Sequence, residues 1–211
     1  MPADVPRPRH RWAAAIYARF PTKTLDPHRR FAAGGARGRV IELGAGTGDN
    51  LAFYAWDQVD SLDLTEPDPY MLAYARRKLA KLPADVQAKV RVHEVPAERL
   101  PFDDASFDTA VVTVVLCSVS DIAASLAELR RVLKPGGEAR LVEHVRGNGF
   151  LGRMQALLQP VYGWFAAGCH LTRRTEAAVR AAGFDLEVSE RFSLGLLWPA
   201  FAGVARRPLK D

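Results

Sequence analysis

The chain has 211 residues, which suffices for one domain with a sizeable core, and its hydrophobic (48%) and charged (25%) fractions exclude a fibrous or largely disordered protein. The net charge of +5 comes from basic residues scattered along the chain, which favours an ordinary basic surface over one that binds nucleic acid. The two cysteines, Cys117 and Cys169, are far apart in sequence and form no CxxC pattern, so we expect neither a disulfide framework nor a metal site.

The sequence also bears on where the protein resides. Its proline- and arginine-rich beginning lacks the apolar core of a signal peptide. No apolar run reaches the ~18 residues of a membrane-spanning helix. We therefore expect a cytoplasmic protein with no integral membrane segment, whose oligomeric state the sequence does not indicate.

Short apolar runs alternate with helical patterns, which is typical of a parallel sheet covered by helices on both faces. Asp68 and Pro69 are expected to open one helix as its N-cap and first residue, and Asp121 to cap another. Strands are predicted at residues 39–43, 58–64, 90–95, 108–119, 137–145, 184–192 and 198–206, and helices at 50–56, 68–82, 120–133 and 172–182. The predicted fold class is α/β, with one doubly wound, mostly parallel, seven-stranded sheet.

A glycine-rich turn, Gly44-x-Gly46-x-Gly48, follows the first predicted strand. Because glycine has no Cβ, such a turn lets the backbone approach a ligand closely. A dinucleotide-binding turn would continue with glycine or alanine where this chain has Asp49, and a P-loop would need Gly-Lys-Ser/Thr. Two carboxylates beside the turn, Glu42 and Asp49, favour a ligand that carries positive charge and no phosphate.

The run from Glu42 to Gly48 resembles the first motif of class I methyltransferases, whose cofactor is the sulfonium S-adenosylmethionine. The resemblance implies an S-adenosylmethionine-dependent enzyme with a Rossmann-like fold. Glu66 lies about 20 residues beyond the turn, where an acidic side chain accepts hydrogen bonds from both ribose hydroxyls. Asp63 is the competing candidate, although it falls inside the second predicted strand.

The same resemblance implies further cofactor contacts. Met71 and the turn at 95–98 would flank the adenine, the end of the fourth strand would lie beside the methionine part, and an aromatic of the N-terminal segment would close over the cofactor. Each of these residues could instead serve ordinary packing. The predicted cofactor-binding residues are Tyr17, Glu42, Gly44, Gly46, Gly48, Asn50, Glu66, Met71, Ala97, Glu98, Val115 and Leu116.

The fourth predicted strand ends without the Asn/Asp-Pro-Pro-Tyr/Phe tetrad of amine-methylating nucleic-acid enzymes, which argues against a nucleic-acid acceptor. Cys117 lies at this end. Methyl transfer is a direct displacement that needs no covalent enzyme intermediate, so we interpret Cys117 as a small buried thiol.

Several later segments resemble the methyltransferase-like 7 family, the alkyl-thiol S-methyltransferases of animals, and more loosely the quinone and phospholipid methyltransferases. These segments are Leu116-Cys117-Ser118-Val119, Arg131-Val132-Leu133-Lys134-Pro135-Gly136-Gly137, Glu143-His144-Val145 and Gly168-Cys169-His170-Leu171-Thr172-Arg173. The resemblance implies methyl transfer to a small lipophilic acceptor, with a thiol favoured. Phospholipid N-methylation, quinone-like C- or O-methylation and a non-catalytic cofactor-binding regulator are the alternatives. The animal enzymes begin with an apolar membrane anchor, whereas this sequence begins with proline and arginine, so we expect that membrane residence does not carry over.

A thiol acceptor needs only modest help to become a thiolate. His144, at the carboxyl end of the fifth predicted strand, and His170, in the segment that follows, are the candidate catalytic residues, and each could instead be a structural histidine. Residues 150–167 are rich in apolar side chains and are the candidate cover for the acceptor. We expect one methyltransferase domain, 1–211, made of an N-terminal helical cap (1–35), a cofactor-binding core (36–147), an acceptor-covering insertion and helix (148–182) and terminal strands (183–211).

Overall fold

The computed structural model describes residues 14, 15, 18, 19, 23–165, 169–195 and 198–209, and it gives no side-chain positions for 161–165. Tyr17, which the sequence predicts to cover the cofactor, lies outside the described residues. The strands are β1 (Gly38–Leu43), β2 (Val59–Thr65), β3 (Val90–His93), β4 (Phe107–Thr113), β5 (Leu133–His144), β6 (Asp185–Ser193) and β7 (Pro199–Arg206). The α-helices are α1 (Asp26–Ala32), α2 (Pro69–Leu79), α3 (Ala84–Lys89), α4 (Ile122–Val132), α5 (Gly149–Phe165) and α6 (Thr175–Ala181), and Lys23–Leu25 and Asp49–Ala52 are 3-10 helices.

These strands form one seven-stranded sheet in the order β3-β2-β1-β4-β5-β7-β6. Strands β1 to β5 pair in parallel, whereas β7 runs antiparallel to both β5 and β6. The predicted fold class, a doubly wound and mostly parallel sheet, is confirmed. Because parallel strands share a direction, the carboxyl ends of β1, β2, β4 and β5 meet at one edge, where ligands of such sheets bind.

Successive residues of the central strands face opposite sides of the sheet and enter two separate cores. Ile41 and Leu43 of β1 pack on one side with Val112 of β4. Val40 and Val111 pack on the other side. Strands covered on both faces need apolar residues at every position, which explains the continuous apolar runs in the sequence.

The two predicted helix caps are confirmed. The Asp68 carboxylate accepts hydrogen bonds from the backbone N–H groups of Tyr70 (2.7 Å) and Met71 (3.2 Å) at the start of α2. Asp121 caps α4 through the N–H groups of Ala123 (2.8 Å) and Ala124 (3.0 Å). These bonds satisfy N–H groups that have no partner within the helix.

The predicted extent of the fourth strand was wrong. It was expected to run over 108–119, but β4 ends at Thr113, and Val114 adopts a left-handed φ of 55° that breaks the strand. An apolar run shows burial without distinguishing a strand from a buried turn. The helix predicted at 50–56 is likewise only the 3-10 turn Asp49–Ala52, and β5 begins at Leu133 instead of at residue 137.

Candidate active site

The glycine turn joins β1 to the 3-10 helix at the carboxyl edge of the sheet. Gly44, Gly46 and Gly48 have φ values of 59°, 55° and 76°, a left-handed region that favours glycine. A Cβ on Gly44 would lie 2.7 Å from Val115 Cγ1, and one on Gly48 would lie 2.9 Å from Ala75 Cα. A Cβ on Gly46 would meet nothing closer than 4.0 Å, so this residue presents the open side of the turn.

Glu66 lies against this turn. Its Oε2 accepts a hydrogen bond from the Gly46 N–H (2.9 Å), and its Oε1 accepts one from the Asp68 N–H (3.0 Å). Burial raises the pKa of this half-buried carboxyl, and the two N–H donors oppose that rise. The competing acid, Asp63, is buried away from the turn, 2.7 Å from His93 Nε2.

Glu42 lies beneath the turn and is almost inaccessible, with 2% of its surface exposed. It accepts hydrogen bonds from Asn50 Nδ2 (2.9 Å) and from the Tyr54 hydroxyl (2.6 Å). Burial raises the pKa of Glu42 to about 7. The Asn50 amide also donates to Thr113 Oγ1 (3.1 Å), which ties the turn to the end of β4, while its buried Oδ1 has no hydrogen-bond partner.

Asp49 does not present an unbalanced negative charge to a ligand. Its carboxylate pairs with Lys78 and with Arg29, the latter at 3.3 Å, and also accepts a hydrogen bond from Thr47 (3.2 Å). The charge argument drawn from Asp49 in the sequence is therefore wrong. A different observation argues against a pyrophosphate: the turn leads into one 3-10 turn, without the α-helix N-terminus that binds dinucleotides.

The other predicted cofactor contacts surround the same edge. Met71 lies half-buried in the first turn of α2, and Ala97 is buried. The Glu98 carboxylate is engaged by the N–H groups of Ser120 (2.7 Å) and Asp121 (3.2 Å) at the start of α4. The predicted roles of these residues toward the cofactor stay predictions.

Glu143 shapes the loop after β4, and the sequence assigned it no role. Its Oε1 accepts hydrogen bonds from the N–H groups of Val115 (2.7 Å) and Leu116 (3.0 Å), which brings Val115 against Gly44. Burial raises the pKa of Glu143 well above its usual range. A charged residue directly after the apolar residues Leu141 and Val142 of a buried strand was the signal that could have identified it.

Three side chains meet just beyond this loop. One nitrogen of His144 and the sulfurs of Cys117 and Cys169 lie within 4.8 Å of one another, and all three residues are buried. Neither ring nitrogen of His144 has a hydrogen-bond partner. The side chain of His170, the other candidate catalytic residue, is exposed, and the neighbouring Cys169 lies beside His144. The catalytic roles of His144 and His170 stay predictions.

The segment that carries Cys169 is held against the sheet edge by backbone contacts. The His170 N–H donates to the Cys117 carbonyl (2.8 Å), and the Arg173 guanidinium donates to the carbonyls of Leu116 and Val119. Long-range contacts of this kind cannot be seen in sequence spacing. They explain how two cysteines 52 positions apart become neighbours.

Helix α5 presents its polar side to this segment. Gln159 donates to the Cys169 carbonyl (3.1 Å) and accepts from the Leu171 N–H (2.6 Å). Phe150 and Leu157 are exposed by 76% and 79%. Part of the apolar surface that the sequence assigns to the acceptor cover therefore faces solvent. The acceptor-covering role of residues 148–182 stays a prediction.

Comparison with known proteins identifies the family. The methyltransferase domain family matches residues 41–141, from β1 to β5. Human thiol S-methyltransferase TMT1B is 34% identical over 169 residues, which cover 78% of this chain and 68% of the human protein. Phosphatidylethanolamine N-methyltransferase of Cereibacter sphaeroides is 32% identical over 167 residues, which cover 76% of this chain and 79% of that protein.

The chain belongs to the S-adenosylmethionine-dependent methyltransferases. The match to rat TMT1B, at 33% identity, spans 69% of this chain and only 59% of the rat protein. The fold of this methyltransferase is shared with the YcgJ protein of Bacillus subtilis, with a TM-score of 0.71 and 16% identity over 94% of this chain and 99% of YcgJ.

S-adenosylmethionine is the cofactor of this methyltransferase family, and the glycine turn fits it. The open side of Gly46 and the carboxylate of Glu66 lie together at the sheet edge, where an uncharged ribose can approach both. Across the residues that the structure describes, no helix is long and apolar enough to cross a membrane.

Two alanine substitutions in the turn of this methyltransferase should separate backbone strain from crowding. Gly44→Ala and Gly46→Ala each place a side chain at a left-handed residue, which costs about 1–2 kcal/mol. Gly44→Ala also forces a Cβ into Val115, so it should lower the free energy of unfolding by a further ~1–3 kcal/mol. Urea denaturation without cofactor measures both variants. Equal losses would contradict the crowding that we describe.

Glu42 should make stability depend on pH. Because burial raises its pKa from 4.5 to about 7, the folded protein keeps a proton that the unfolded chain releases within that window. The free energy of unfolding should therefore fall as pH rises through the window. The side chain of Glu42→Gln stays neutral at every pH. Its free energy of unfolding should therefore rise, relative to that of the wild type, by on the order of 3 kcal/mol from roughly pH 4 to pH 8.

Denaturant unfolding at a series of pH values tests this expectation. Glu94→Gln, at an exposed glutamate, is the matched control and should keep the wild-type pH dependence. Parallel profiles for wild type and Glu42→Gln would mean that Glu42 is ionised in the fold.

Proposed function

We propose that this methyltransferase transfers the methyl group of S-adenosylmethionine to the sulfur of a small lipophilic thiol. The observation that carries the proposal is the 34% identity to a thiol S-methyltransferase over 78% of the chain. The methyltransferase domain family matches residues 41–141, a range that includes the cofactor turn and Cys117. The arrangement of the sheet edge supports the same conclusion.

The cofactor half of the site consists of the glycine turn and Glu66. We propose that Glu66 accepts hydrogen bonds from the ribose hydroxyls. These bonds either replace or accompany those that Glu66 accepts from the Gly46 and Asp68 N–H groups. A carboxylate that is already half-buried and held by two N–H donors loses little freedom on binding. S-adenosylmethionine supplies an electrophilic methyl group to whatever nucleophile lies opposite it.

The acceptor half of the site lies beyond the loop after β4. The protein must align the acceptor there and exclude water, because the sulfonium already activates the methyl group. The buried His144 side chain has no hydrogen-bond partner, whereas the ring of His170 is exposed. A side chain that acts on an acceptor in a site closed to water must itself be buried. We therefore propose that His144 is the residue that acts on the acceptor.

Phospholipid N-methylation is the second candidate. Phosphatidylethanolamine N-methyltransferase of Cereibacter sphaeroides is similar to this chain at nearly the same identity. The exposed apolar side chains of Phe150 and Leu157 on α5 suit an amphiphilic acceptor or its membrane. Thiols stay favoured because human TMT1B, a thiol S-methyltransferase, matches this chain at slightly higher identity and coverage.

The location of the protein is also a proposal. Buried and reduced cysteines are typical of cytoplasmic proteins, so we propose this location. Fractionation of cells into cytosol and membranes tests it, and recovery of the protein with membranes would contradict it.

Glu66→Ala should weaken cofactor binding by about 1.5–3 kcal/mol, because hydrogen bonds to a charged group are lost. Isothermal titration calorimetry with S-adenosylmethionine measures the change. Asp63→Asn is the matched control at the competing acid, and it should bind the cofactor with wild-type affinity because Asp63 lies away from the turn. Unchanged affinity of Glu66→Ala would mean that another acid holds the ribose.

The acceptor is tested by incubation with radiolabelled S-adenosylmethionine and matched acceptors. We expect label in the thioether from 1-butanethiol, and none in products from 1-butanol, butylamine, phosphatidylethanolamine or a hydroquinone. The selectivity follows from the lower pKa and greater nucleophilicity of a thiol at neutral pH. Label in the phospholipid alone would replace the first proposal with the second. Tight cofactor binding without transfer to any acceptor would indicate a regulator.

A further inference from the structure

The cluster of Cys117, His144 and Cys169 has the composition of a metal site. Their three potential ligand atoms lie within 4.8 Å of one another, and the residues are 0%, 2% and 8% exposed. Two thiols and one imidazole are the donors that zinc prefers. The proposed methyl transfer uses His144 and gives the two cysteine sulfurs no role.

We propose that Cys117, His144 and Cys169 bind one Zn²⁺ ion, whose fourth position receives the acceptor thiol. The second half of this inference rests on the proposed thiol S-methylation, whereas the metal site itself does not. Zinc sites with three protein ligands keep an open position for water or substrate, unlike structural sites with four.

The burial of His144 is an independent indication of a ligand. Both ring nitrogens are buried and without a hydrogen-bond partner, although burying an unsatisfied polar group costs about 1–3 kcal/mol. Bonding to a metal ion would satisfy one of them. The two buried sulfurs are the atoms within its reach, and thiols are weak hydrogen-bond donors and acceptors.

The spacing of the three ligands fits zinc after a small adjustment. Ligand atoms of a tetrahedral zinc site lie roughly 3.5–3.8 Å apart, because Zn–S and Zn–N bonds are roughly 2.3 Å and 2.0–2.1 Å long. The separations here are at most 4.8 Å, so rotation of the cysteine side chains by a small angle brings the ligands together.

Each ligand comes from a different part of the fold and is held by its backbone. Cys117 lies in the loop that Glu143 fixes, and its carbonyl accepts the His170 N–H at 2.8 Å. His144 ends β5, where its carbonyl accepts the Thr175 hydroxyl at 3.3 Å. The Cys169 carbonyl accepts the side-chain amide of Gln159 at 3.1 Å. A site so supported is preorganised for its ion.

The charges of the site balance when a thiolate is added. Two cysteine thiolates neutralise Zn²⁺, so an acceptor thiolate brings one negative charge. The Arg173 guanidinium lies against the same loop, where it donates to the Leu116 and Val119 carbonyls, and offsets that charge. Since the site is largely closed to water, this compensation counts for more than it would at the surface.

The chemistry of the step is balanced with zinc as a Lewis acid. An acceptor thiol binds as a thiolate and releases its proton to solvent. Its sulfur forms a bond to the methyl carbon while the bond from that carbon to the sulfonium sulfur breaks, and the electron pair of the broken bond stays on the sulfonium sulfur. The thioether product is uncharged and a weaker zinc ligand than a thiolate, which favours its release.

Metal analysis of the intact protein tests the site. After purification with a phosphine reductant and no chelator, the wild-type protein should contain about one zinc ion per chain, as measured by inductively coupled plasma mass spectrometry. His144→Asn should lose at least roughly nine-tenths of it. His170→Asn is the matched control, because the exposed His170 neighbours Cys169 without joining the cluster, and it should keep its zinc.

A measurement on the wild type guards against a variant that does not fold. Co²⁺ added to metal-free protein should produce thiolate-to-cobalt charge-transfer absorption that saturates at about one equivalent. Addition of 1-butanethiol should shift the cobalt bands, and 1-butanol should not. Absence of charge-transfer bands, or a Cys117–Cys169 disulfide that persists in the reductant, would overturn the metal site.

The failure of this inference and that of thiol methylation are distinguishable. Metal-free protein that methylates 1-butanethiol as fast as zinc-loaded protein would overturn the role of zinc and leave thiol methylation intact. Zinc-loaded protein that binds no thiol and methylates another acceptor would overturn the acceptor position and the proposed function together, with the metal site retained.

Discussion

Two hydrogen bonds accepted by the buried carboxyl of Glu143 set the course of the chain after β4, and the proposed acceptor side of the site depends on them. They take the N–H groups of Val115 and Leu116, which would otherwise have extended the ladder with β5. The chain turns at Val114 as a result. The turn packs Val115 on the cofactor loop and places Cys117 beside His144. Burial raises the pKa of Glu143, which favours a neutral carboxyl, since its other oxygen has no hydrogen-bond partner.

The three acidic residues at the glycine turn, Glu42, Asp49 and Glu66, have different surroundings. Glu42 and Asp49 look alike in sequence, yet the first is buried beneath the turn and the second is neutralised by Lys78 and Arg29. Glu66 differs from both, because it contacts the turn, is partly exposed and accepts hydrogen bonds from backbone N–H groups instead of pairing with a cation. We therefore propose that the carboxylate of Glu66 and the open side of Gly46 select the ligand, and that the number of acids near the motif does not.

The elements that depend on a local sequence pattern were predicted correctly, whereas those that depend on contacts between distant residues were not. The alternation of apolar runs with helical patterns predicted the sheet. Asp68 and Asp121 predicted where two helices begin, because a cap bonds only to the first turn of its own helix. The end of β4 was missed because Glu143, 28 positions later, supplies the competing acceptor. Cys169 was missed for the same reason. Cys169 lies near Cys117 because Arg173 and α5 hold its segment against the sheet edge. The number of residues between two cysteines does not indicate their distance in space.

The two halves of the site are joined through a few residues at the end of β4. Thr113 accepts a hydrogen bond from Asn50, which also holds Glu42 beneath the cofactor turn. Four residues later, Cys117 lies beside His144 on the proposed acceptor side. Gly44 of the glycine turn packs against Val115, which lies in the same short loop as Cys117. Because packed side chains transmit displacements, a change at the cofactor turn is expected to reach the loop that carries Cys117.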